Sequence, residues 1–118
     1  MIGEKAVINE EIILTIIAMS GEANCFLQQA FNAVREYDYE KAEELLKKAD
    51  ESLNKAHNSQ TSLIVKETQG EKNEIGVFMV HAQDHLMNTI LTKQLITNMI
   101  SMQKEINELK DSRRGLGC

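Results

Sequence analysis

Not one proline occurs among the 118 residues, and the six glycines stand at positions 3, 21, 70, 76, 115 and 117. With strong breakers only near the ends and in one short central stretch, the chain is disposed to form a few long helices. Apolar spacing places them. Ile12, Ile16, Ala23, Leu27, Ala30, Phe31 and Val34 recur at three- and four-residue intervals, which stacks them on one face of a helix over residues 8–36. Asp38 suits an N-cap, and Ala42, Leu45, Leu46, Ala49, Leu53 and Ala56 begin a second stripe. That stripe runs on through Gln60, Leu63 and Ile64 until Gly70, a natural helix stop. A third helix about 50 Å long is expected from Ile75 to near Leu109. Short links and the lack of period-two alternation predict an all-α, antiparallel three-helix bundle. It is read as one domain over residues 1–110 with a flexible tail over 111–118.

The balance of charges narrows the partners. Eighteen Asp and Glu against 13 Lys and Arg leave a net charge of −5, with no basic stripe, which argues against a nucleic-acid binder working by phosphate neutralisation. The longest uncharged apolar stretch, between Glu11 and Glu22, is too short to span a membrane. Glu4, Glu10 and Glu11 stand where a secretory signal would need a positive start and an apolar run, so a cytoplasmic protein is expected. Two cysteines fit a reducing compartment: Cys25 is read as a small buried hydrophobe and Cys118 as a loose terminal thiol.

Helix three is apolar on two sides. Met79, Leu86 and Ile90 mark one side, and Val77, Leu91, Leu95, Met99 and Ile106 the other. A three-helix bundle covers one of them, so the second calls for further subunits. Met87 and Met102, with Met79 and Met99, suit adaptable core or a docking surface better than metal ligation.

A polar cluster interrupts that second side, because His81, Asp84, His85, Asn88 and Thr92 share its sector. Such groups must be hydrogen-bonded, coordinated or used chemically once buried. Two readings stand side by side: a polar layer that fixes helix register, and a reactive site. His81 and His85 at i, i+4 can face one metal ion with Asp84 beside them. The zinc-protease pattern, however, needs Glu where Ala82 stands, and no Glu lies three residues before any histidine, as a di-metal carboxylate bundle requires. On helix two, Gln60 interrupts the stripe beside His57 and Thr61. It reads either as a satisfied interior amide or, with His57, as the group that orients a ring on helix three.

Val80-His81-Ala82-Gln83-Asp84-His85-Leu86-Met87, together with Ala56-His57-Asn58-Ser59-Gln60-Thr61, resembles the IIA component of the lactose/cellobiose class of the bacterial sugar phosphotransferase system. The resemblance extends in helix layout over about residues 8–109. It implies a phosphocarrier in which His81 accepts a phosphoryl group from the general carrier HPr and passes it to a cysteine of the IIB component. Uptake of a β-linked disaccharide of the cellobiose, chitobiose or lactose type would follow through a membrane permease that this chain does not enter. It also implies a homotrimer forming a nine-helix bundle. Asp84 would lie at the trimer axis and gather a divalent cation such as Mg2+ with its symmetry copies. Gln83 and His85 would support the phosphorylation site, with Gln60 a further supporting candidate, and no organic cofactor is implied.

Neutral imidazole is a good nucleophile near pH 7, which suits that role. A carrier also needs in-line approach, donors for the transferring oxygens and little water, which Val77, Val80 and Leu95 are placed to exclude. The chain departs from the family pattern at Gly21-Glu22-Ala23-Asn24, where relatives carry a basic residue after Gly-x-Ala. It departs again at Glu36-Tyr37-Asp38-Tyr39, a turn without the expected glycine. The competing reading is a non-catalytic oligomerisation or regulatory module whose His/Asp layer only sets register or holds a metal.

Overall fold

The computed structural model describes residues 2–71 and 75–116, with side chains from residue 10 to residue 114. Three α-helices account for nearly all of it: α1 (Ile2–Arg35), α2 (Tyr39–Thr68) and α3 (Val77–Leu116). No strand occurs among the described residues, and the all-α three-helix expectation holds. The molecule is a rod of 75 × 21 × 18 Å. Cys118 lies outside the described residues.

The two helix stops share one geometry reached with different residues. At the end of α2, Gly70 takes φ 91°. Its N–H donates to Glu67 O and that of Glu71 to Lys66 O, so two orphan carbonyls are satisfied by a Schellman turn. At the end of α1 the same pattern recurs, with Tyr37 N–H to Val34 O and Asp38 N–H to Ala33 O. Here the left-handed position is filled by Tyr37, with φ 66°. Asp38 closes that turn and opens the next helix, since its carboxylate accepts from the N–H of Lys41 at 3.2 Å.

α1 is the common packing partner. One cluster joins its Ile13, Ile16 and Ala23 to Leu53, Ala56 and Leu63 of α2 and to Met79, Ala82 and Leu86 of α3. The second joins Leu27, Ala30 and Val34 to Ala42, Leu45 and Ala49 of α2 and to Ile96 and Ile100 of α3. The predicted stripes are buried as drawn, save that Ile64 turns outward and Ile12, Phe31, Leu46 and Gln60 are partly covered. α2 and α3 touch each other far less. A salt bridge of 2.6 Å from Lys93 to Asp50 and a side-chain hydrogen bond from Gln60 to Gln83 span them.

Two expectations are corrected. Cys25 is exposed, not buried: two residues from both Ala23 and Leu27, it falls about 200° round the helix from each. The helix does not give way to a tail at residue 111, because α3 continues to Leu116. Residues 108–114 contain no breaker, and Gly115 lies one residue from its end.

Near the far end of α3, Asn107 is 1% exposed and ties the α1–α2 turn to α3. Its amide donates to Val34 O and to the Tyr39 hydroxyl, both at 2.9 Å, while its carbonyl accepts from Gln103 at 3.0 Å. Asn107→Ala removes a buried amide and its three hydrogen bonds and is expected to cost about 1–3 kcal/mol. Tyr37→Gly removes a left-handed tyrosine and is expected to stabilise by about 1 kcal/mol. Urea unfolding of both variants at one protein concentration checks the opposite signs.

Candidate functional site

The polar residues of α3 gather along a groove between α1 and α3, with a volume of about 420 Å³. α3 contributes His81, Asp84, His85, Asn88, Thr89 and Thr92, and α1 contributes Gly21 and Asn24. Thr89 fixes the floor, its hydroxyl donating to Ser20 O at 3.1 Å. A Cβ at Gly21 would meet open space, so this glycine widens the groove without being forced by a contact. Asn24 and Gly21 went unmarked as site residues in the sequence, although they sit in the segment where the family pattern breaks. Their signal was two small or neutral polar residues on the flank of a buried stripe.

The two rings meet directly. His85 Nε2 lies 3.1 Å from His81 Nε2, and the ring centroids are 4.5 Å apart at 81°. Their i, i+4 spacing on α3 brings them together without any other element. One proton serves that contact, so one Nε2 donates and the other accepts. His81 is exposed and His85 partly buried. Asp84 is the one formally charged side chain lining the groove, and no Lys or Arg lines it among the described residues.

The other sequence candidates fall elsewhere. Gln83 lies on the opposite flank of α3, where Gln60 Nε2 donates to its Oε1. Gln60 therefore orients an amide and not a ring, because two residues along a helix turn the side chain through about 200°. His57 is exposed and makes no hydrogen bond among the described residues. Val77, Val80 and Leu95 are 89%, 50% and 52% exposed, so a single protomer does not shield His81 with them. Among the described residues no three His, Cys, Asp or Glu side chains gather as a metal site, and His81, His85 and Asp84 do not form one within the protomer.

Residues 11–104 match the family model described as the PTS system, lactose/cellobiose specific IIA subunit, and the chain belongs to that family. It is 45% identical over 89 residues to the lactose-specific EIIA component of Streptococcus mutans, covering 75% of this chain and 86% of that one. Against the lichenan-specific enzyme IIA component of Bacillus subtilis the identity is 41% over 99 residues, covering 84% and 90%. The crystal structure of the cellobiose-specific enzyme IIA from Bacillus anthracis superposes with a TM-score of 0.82 at 40% identity, covering 85% of this chain and 92% of that one. The chitobiose IIA in its complex with HPr from Escherichia coli gives a TM-score of 0.71 at 30% identity, covering 84% and 96%.

The shared contact between the rings has a direct readout. With both rings neutral, nitrogen-15 spectra of the imidazoles are expected to show Nε2 protonated on one ring and bare on the other. His85→Ala is expected to release His81 into a mixture of tautomers.

Proposed function

We propose that this chain is the phosphocarrier of a sugar phosphotransferase system, accepting a phosphoryl group from phospho-HPr on His81 and passing it to a IIB component. The observation that carries the residue assignment is His81 itself: an exposed imidazole on a rigid helix, open to a groove and held by a second ring at 3.1 Å. Family membership supports the reaction class, and the cellobiose, chitobiose and lactose relatives support a β-linked disaccharide as the sugar.

The ring contact gives His85 its part. Nε2 of His81 attacks phosphorus only with its lone pair free, so the shared proton belongs on His85 Nε2. As the new P–N bond forms in line with the breaking bond to the donor histidine, His81 swings off that hydrogen bond. The His85 N–H then faces the incoming phosphoryl oxygens. Among the described residues no Lys or Arg lines the groove to neutralise those oxygens, which suits a group in transit: strong ground-state stabilisation would slow the onward step. A thiolate of IIB attacks the same phosphorus, the P–N bond breaks, and the neutral ring is regenerated.

The exposed apolar side of α3 supports a homotrimer in which copies of α3 face one another and cover Val77, Val80 and Leu95. The groove beside His81 then lies at the rim of that contact. Asp84 stands amid this apolar side, and its carboxylate becomes costly once covered unless it is neutralised. Three copies converging on a divalent cation such as Mg2+ would supply a ligand set that the described residues of one protomer lack. No helix among the described residues is long and apolar enough to cross a membrane. A cytoplasmic carrier that reaches the permease only through IIB fits this reading, and Gln83 and Gln60 act on it by bracing α3 against α2.

Intact mass after incubation with phosphoenolpyruvate, enzyme I and HPr under mildly alkaline conditions tests the assignment. One phosphoryl group is expected on the native protein and on His57→Ala, and none on His81→Ala. His85→Ala is expected to accept it about ten- to a hundredfold more slowly, the worth of one hydrogen bond to a charged oxygen. No uptake by the native protein with its assembly intact would leave a register-setting polar layer in its place.

A further inference from the structure

The contact between the two rings of α3 is bent. His81 Nε2 and His85 Nε2 are 3.1 Å apart, and the ring centroids only 4.5 Å. A straight N–H···N contact along both ring axes adds about 1.1 Å of ring at each end and would set the centroids about 5.4 Å apart. Each ring is therefore tilted off the line that joins the nitrogens. Both rings hang from one face of α3, four residues apart, so both tilt back toward that helix. Their Nε2 lone pairs turn outward and converge on one point beside the groove.

Two imidazole nitrogens aimed at one point are a chelate for a metal ion. With zinc–nitrogen bonds of about 2.0–2.1 Å, a nitrogen separation of 3.1 Å gives an N–metal–N angle of about 98°, between the octahedral and tetrahedral values. The surroundings suit a cation: Asp84 is the one formally charged side chain lining the groove, and no Lys or Arg lines it among the described residues. His81 is exposed, so water can fill the remaining coordination positions. No third His, Cys, Asp or Glu joins the pair among the described residues, which makes the site open and its ion exchangeable. Imidazole takes zinc and its neighbours in the first transition row, whereas Mg2+ keeps to oxygen ligands, so this site differs from one built on copies of Asp84.

We propose that His81 and His85 form a two-nitrogen site for a divalent metal ion of the zinc type, and that the bound ion holds the chain out of phosphoryl transfer. Ion and phosphoryl group need the same lone pair on His81 Nε2, so each excludes the other. The ion occupies the place between the nitrogens that the shared proton otherwise holds, and that proton moves to the Nδ1 of its own ring. The chelate stands on the geometry of the rings, while the exclusion rests on the carrier reading given above.

The test titrates zinc ions alone into the full chain carrying Cys25→Ser and Cys118→Ser, which removes competing thiols, under mildly alkaline conditions where both rings are neutral. One zinc per chain is expected, with the imidazole nitrogen-15 signals of His81 and His85 moving together. His81→Ala and His85→Ala are each expected to weaken zinc at least about tenfold, since even groups behind a metal's ligands are worth that much. Asp84→Asn and His57→Ala are expected to keep it. Zinc bound equally well by either ring variant, or lost from Asp84→Asn, would overturn the site. The chain phosphorylated by HPr and then purified is expected to have lost the site, and zinc bound there as tightly as before would overturn the exclusion. Failure of the carrier reading looks different. A chain that takes up no phosphoryl group but binds zinc through both rings overturns the carrier and leaves the site. A chain that takes up the group but binds no zinc overturns the site and leaves the carrier.

Discussion

α1 holds the molecule together because both other helices bury their apolar faces against it. Its Ile16, Leu27 and Val34 are almost wholly excluded from solvent, while α2 and α3 meet chiefly through polar links. This arrangement leaves α3 supported from one direction, with its opposite side free. The site occupies the boundary between those two conditions. Thr89 is anchored on α1, His85 is partly buried, and His81 points out where a partner can reach it.

The same asymmetry links assembly to chemistry. A carrier must bring its histidine to two different partners and still keep water from the phosphoryl group between transfers. One protomer provides the access, since His81 and the valines around it are open. Shielding is left to whatever covers the second side of α3. Polar and apolar residues therefore share that side: under the proposed function the imidazoles near its start would serve transfer, and the exposed Leu, Met and Ile residues further along would be free for association.

The turn between α1 and α2 shows how much a local rule tolerates. A Schellman stop prefers glycine, and Gly70 supplies it at the end of α2. At the end of α1 the identical hydrogen-bond pattern is held by Tyr37, and the turn is tied down by Asn107 reaching across from α3. Tertiary contacts outweigh a conformational preference of about 1 kcal/mol there.

Helix number, order and most of the buried stripes were legible in the sequence, because a proline-free chain with apolar residues at helical spacing has few other ways to bury them. The His81–His85 contact was equally local, since i, i+4 neighbours on a helix meet wherever that helix packs. The resemblance carried by the residues around His81 pointed to the family that the comparisons establish. What the linear pattern did not reveal depended on angles between helices. Helical spacing alone also set Cys25 outward from Ala23 and Leu27, but the pattern could not say that Gln60 meets Gln83 and not a ring, or that Gly21 and Asn24 complete the groove. Those outcomes rest on how α1 is rotated against α2 and α3, a rotation set by the whole packed core and by no single stretch of residues.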